Sequence, residues 1–151
     1  MLQTTNRADT HTMNIYSIKP DTEQWICSIL RDALPNVLAV YAFGSRAQDT
    51  ANEHSDLDLA VLVEGYADPL LLWEMANQLA NKLGYEVDLL DLRAASTVMQ
   101  YQIITTGRCV WAKDVQAGLY EAFILSEKTD LDTARAELLH EIREDGAVYG
   151  K

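Results

Sequence analysis

Residues 56–63, DLDLAVLV, place two carboxylates one residue apart inside a run that otherwise has the makeup of a buried strand. Few arrangements tolerate that. Side chains alternate between the faces of a strand, so Asp56, Asp58, Ala60 and Leu62 point one way and Leu57, Leu59, Val61 and Val63 the other. The two carboxylates then lie about 7 Å apart along the strand. Like charges held together in a low-dielectric site raise each other's pKa. A divalent cation between them reverses that penalty.

The flanking segments supply the rest of such a site. VLAVYAF (37–43) is apolar on both faces, as a central strand is, and runs into Gly44-Ser45. A glycine at a strand end lets the backbone approach a phosphate closely, and Ser45 offers a hydroxyl and an N–H to phosphate oxygens. Arg46 adds a positive charge, and a short helix from Ser45 through Ala51 would add its dipole. A third strand, YEVDLLDL (85–92), places Glu86, Asp88 and Leu90 on one face and Asp91 on the other. Asp88 lies inside the apolar run, which makes it the third carboxylate. Oxygen ligands without His or Cys nearby favour Mg²⁺, or Mn²⁺, over zinc. Three acids from two neighbouring strands can hold a metal pair for in-line phosphoryl or nucleotidyl displacement.

Elsewhere the pattern alternates between helix and strand. Pro20-Asp21-Thr22-Glu23 opens a helix whose apolar spacing runs to Leu34. PLLLWEMANQLANKL (69–83) is a second helix, with Gly84 placed to end it. Residues 96–107 read as helical, RCVWA (108–112) as an edge strand or a turn, and 114–144 as helical with a break near Thr129-Asp130 and Gly146 and Gly150 ending it. The order predicts one α/β (α+β) domain over 20–151: a small mixed sheet flanked by helices, with a C-terminal helical extension. Residues 1–19 are expected to form a flexible N-terminal extension, and Met13 is an alternative start to Met1.

A net charge of −11 argues against direct binding to nucleic acid and favours a small anion carried with metal, or a basic protein partner. No apolar stretch approaches a membrane span. Cys27 and Cys109 have neither metal-ligand nor disulfide spacing; buried reduced thiols fit a cytoplasmic protein. Trp25, Trp73 and Trp111 fall in apolar patterns and are assigned to the core, while His54 is read as a solvated loop residue.

Strand, Gly44-Ser45, ten residues, Asp56-x-Asp58 and then Asp88 in a later strand resemble the DNA polymerase β-like nucleotidyltransferase superfamily. FGSRA, SDLDLAVL, EVDLLDL and the closing AVYG look like its minimal nucleotidyltransferases, over residues 20–150. The resemblance implies a polymerase β-like fold, with Gly44, Ser45 and Arg46 binding the nucleotide and Asp56, Asp58 and Asp88 catalytic and metal-bearing. It also implies an antitoxin that partners a HEPN-domain ribonuclease toxin and transfers AMP from ATP to a toxin tyrosine. Two other readings stay open: occlusion of the toxin without chemistry, and transfer to a small hydroxylated molecule. Enzymes of the latter kind usually carry a larger second domain.

Overall fold

The computed structural model describes residues 14–48 and 50–149, with side chains as far as Arg143. Among the described residues four α-helices, here α1 (Pro20–Ala33), α2 (Pro69–Leu83), α3 (Thr97–Thr106) and α4 (Gln116–Tyr149), accompany four strands. The strands are β1 (Val37–Phe43), β2 (Leu57–Val63), β3 (Val87–Asp91) and β4 (Arg108–Ala112).

The helix boundaries follow from local chemistry. Pro20 occupies the first turn of α1, where its missing N–H costs nothing, with Asp21 and Glu23 at the positive end of the dipole. In α2 the Asp68 carboxylate accepts from Leu70 N at 3.0 Å, and Gly84 closes the helix in the left-handed region, φ +85°. In α3 the Ser96 hydroxyl accepts from Met99 N. The stripe Ile26, Cys27 and Leu30 buries α1, and Leu72, Met75, Ala76 and Leu79 bury α2. Each large apolar side chain of this kind contributes ~1.5–3 kcal/mol when fully buried.

The sheet order is β3-β2-β1-β4. β1 pairs antiparallel with both β2 and β4, whereas β2 and β3 are parallel, joined across the sheet by α2. Both faces are covered. Val40, Ala42, Leu59, Val61 and Val87 pack against α1 and α2, while Tyr41, Ala60, Leu62 and Leu92 pack with Ile103 of α3 and Ala117 and Ile124 of α4. The buried Tyr41 hydroxyl donates to the Glu121 carboxylate of α4 at 2.6 Å. Arg108 of β4 pairs with Glu23 of α1.

Several expectations are revised. The strand 108–112 is real and forms the sheet edge beside β1. The last helix is unbroken: Thr129 Oγ1 bonds back to Leu125 O, Lys128 pairs with Asp132 at 2.7 Å, and the helix passes through Gly146. Trp25 and Trp73 are exposed, and Trp111 is half-buried beneath the Arg31 guanidinium, 4.6 Å from its ring centre. Cys27 is buried but Cys109 is exposed. Residues 14–18, grouped with the N-terminal extension, are bonded into the domain: Ile18 N to Arg46 O, Ser17 Oγ to Gln48 O, and Asn14 Nδ2 to Ala51 O. The start-site question at Met13 lies outside the described residues.

Candidate active site

β1 ends where β2 and β3 begin, so three strand ends meet at one edge of the sheet. The register sets Phe43 beside Asp58, and Asp58 beside Asp88. Asp58 lies on the sheet face that carries Ala60 and Leu62, and Asp88 on the same face beside Leu90. Asp56 precedes the first residue of β2 and is exposed, as is Asp88, whereas Asp58 is half-buried.

Electrostatics show that the three acids share one field. Burial, then the charge and hydrogen-bonding proximity of Asp88, then the charge of Asp56, push the Asp58 carboxyl up to about 6. The main chain closes around it. Gly44 takes φ +75°, and a Cβ there would sit 2.1 Å from Asp58 Oδ2. Glycine is required twice over, for the left-handed backbone and for the room beside the carboxylate.

Ser45 follows at the start of a 3-10 turn, Ser45–Ala47. The expected helix to Ala51 is absent, so a helix dipole contributes little here. The half-buried Ser45 hydroxyl makes no hydrogen bond to the described residues.

Arg46 does not face outward with it. The side chain is buried, Nε donating to Ser55 O at 2.7 Å, Nη1 to Tyr16 O at 2.9 Å and Nη2 to Glu53 O at 3.4 Å. Its guanidinium lies 3.7 Å from the ring centre of Tyr85. Arg46 therefore clamps the loop that delivers Asp56, with the N-terminal strap on one side and the lead-in to β3 on the other. Nothing in the sequence marks Tyr16, Ser55 or Tyr85 as its partners. No periodicity marks backbone carbonyls turned toward a guanidinium.

Asp91 is buried with both oxygens committed, Oδ2 accepting from Ala67 N at 2.8 Å and Oδ1 from Arg93 N at 3.0 Å. It caps the turns around β3, on the opposite side of the strand from Asp88. His54 is exposed and 3.4 Å from Glu53.

Among the described residues no three His, Cys, Asp or Glu side chains group closely enough to hold a metal ion. The donor chemistry nevertheless fits a hard divalent ion. Asp58 and Asp88 are paired in register and offer oxygen atoms alone, and a bound cation would offset the burial and like-charge proximity that push the Asp58 carboxyl up. A partial protein ligand set is usual where substrate phosphates supply the remaining oxygens.

The family model described as polymerase beta, nucleotidyltransferase, matches residues 24–116. The protein adenylyltransferase MntA of Shewanella oneidensis is 35% identical over 126 residues, covering 83% of this chain and 91% of MntA. A crystal structure of a toxin–antitoxin with AMP-PNP contains a chain 36% identical, with a TM-score of 0.72 over 80% of this chain and 98% of that one. A tri-AMPylated Shewanella oneidensis HEPN toxin in complex with its MNT antitoxin gives 33% identity and a TM-score of 0.66, covering 80% of this chain and 95% of that one.

Proposed function

The chain belongs to the polymerase beta nucleotidyltransferase family, and from that membership we propose that it is a protein adenylyltransferase antitoxin. It transfers AMP from ATP to a tyrosine of a cognate HEPN toxin in the cytoplasm and so neutralises the toxin. The observation that carries this reading is the pairing of Asp58 with Asp88 beside Gly44, on a chain similar to MntA and to an antitoxin solved with AMP-PNP. Among the described residues no helix is long and apolar enough to cross a membrane.

Asp56, Asp58 and Asp88 would hold Mg²⁺ or Mn²⁺, which when bound neutralises charge on the triphosphate and lowers the pKa of the attacking hydroxyl. Gly44 keeps Asp58 Oδ2 in place by leaving no side chain against it. Ser45 presents its hydroxyl and N–H to the phosphates. The tyrosine oxygen attacks the α-phosphorus, the bond to the bridging oxygen breaks, and pyrophosphate leaves. Asp88, the exposed member of the pair, accepts the tyrosine proton. Arg46 acts through the loop, fixing where Asp56 projects.

Pyrophosphate release tests the proposal. Mixing the protein with ATP, Mg²⁺ and a cognate HEPN toxin should release pyrophosphate, and Asp56→Asn should stop it. Release that persists undiminished in Asp56→Asn and in Asp58→Asn would refute the assignment of these carboxylates.

A further inference from the structure

α4 outruns the domain it belongs to. Among the described side chains its last fully buried one is Ile124, and Leu131 is half-buried. From Asp132 to Arg143 every residue is exposed, a projection of roughly 18 Å at ~1.5 Å per residue. It is not polar throughout. Leu138, Leu139 and Ile142 are each more than half exposed. Leu131, Leu138 and Ile142, spaced seven and four apart, lie on one side of the helix. That stripe continues the line of Ala117 and Ile124, the face by which the helix is buried on the sheet.

We propose that this projecting stripe is the docking surface for the HEPN toxin, seated in an apolar groove of the toxin rimmed by lysine or arginine. The proposal rests on the adenylyltransferase reading and adds where the acceptor protein is gripped. Charge selects this occupant. Glu127, Asp130, Asp132, Glu137 and Glu141 outnumber Lys128, Arg135 and Arg143 along the segment, an acidic excess that the Lys128–Asp132 pair leaves unchanged. A second copy would bring an equally acidic helix and another net charge of −11 against this one. A basic rim is attracted instead, and association with it is steered. The related antitoxin of known structure is bound to a HEPN toxin. A modifying enzyme whose acids lie exposed at a sheet edge gains from a grip on its substrate outside the chemistry, because binding energy there raises the local concentration of the acceptor.

The test uses the full chain carrying Leu138→Glu and Ile142→Glu together, titrated calorimetrically with the HEPN protein. Both side chains are exposed and glutamate is a good helix former, so the thermal transition and ATP affinity should match the parent. Toxin affinity should fall at least tenfold (about tenfold or more for loss of two central anchors). A double alanine variant should show a smaller loss, and AMP transfer by the glutamate variant should recover at high toxin concentration. Parent-like toxin affinity in the glutamate variant overturns the proposal. A parent that is dimeric alone and a glutamate variant that is monomeric also overturns it, by assigning the stripe to a second copy. A parent that does not bind the HEPN protein at all refutes the adenylyltransferase reading and this surface with it.

Discussion

Replacing Asp58 with asparagine should stabilise the metal-free protein while abolishing its chemistry. In the native state burial and the neighbouring Asp88 and Asp56 charges hold the Asp58 carboxyl at about 6, against 3.8 for the unfolded chain. The native carboxyl therefore keeps its proton to higher pH than the unfolded one. Its contribution to stability is fully present below pH 3.8 and is lost as pH rises through about 6. That interval is worth roughly 3 kcal/mol at ~1.36 kcal/mol per pKa unit. Because Asp58 is only half-buried, solvent screening reduces this to about 1 kcal/mol. Asparagine removes the charge but keeps the shape. In EDTA at pH 8 the variant should melt about 2–4 °C above the parent, and near pH 4 the difference should vanish. Adding Mg²⁺ should raise the parent's transition and leave the variant's unchanged. Calorimetry at the two pH values decides it. A variant that melts at or below the parent at pH 8 without metal would refute the repulsion argument.

The other acids and the clamp separate in the same way. Asp88→Ala should abolish transfer with little change in stability, whereas Asp91→Ala should strip the partners from Ala67 N and Arg93 N, lower stability by about 1–3 kcal/mol and leave most of the activity; the opposite pattern in paired melts and turnover assays would invert the register. Gly44→Ala forces a Cβ to within 2.1 Å of Asp58 Oδ2, and should lower stability by about 1–3 kcal/mol as well as transfer, read by the same two assays. Arg46→Lys cannot reproduce three bonds to carbonyls together with the Tyr85 stack. It should lower the melting temperature and raise the Mg²⁺ requirement, with turnover recovering at saturating Mg²⁺. A raised KM for ATP with unchanged stability would instead make Arg46 a phosphate contact, as its sequence position suggested.

Legibility followed the range of the interactions. The bounds of α2 are readable from Asp68, Pro69 and Gly84 because capping is local. The parity that separates Asp88 from Asp91 is readable because a strand alternates strictly. The sheet order is not, since pairing between distant strands leaves no mark within either one. Arg46 shows the same limit: beside Gly44-Ser45 it has the chemistry of a phosphate ligand, and only the fold brings Tyr16, Glu53, Ser55 and Tyr85 around it. The strap 14–18 works through single hydrogen bonds and carries no periodicity. Thr129-Asp130 looked like a break because both are weak helix formers, yet Thr129 bonds within the helix and the Lys128–Asp132 pair spans the spot. Trp73, in an apolar stretch, proved to lie on the outer face of α2.

Transfer of AMP to a HEPN toxin is tested most directly by intact-mass spectrometry of that toxin. After incubation with this protein, ATP and Mg²⁺, the toxin should gain mass in steps of one AMP, with tyrosine as the modified residue on peptide mapping. The gain should disappear when the antitoxin carries Asp56→Asn. A toxin that is bound and inhibited but keeps its original mass would contradict the account and leave occlusion as the mode of neutralisation.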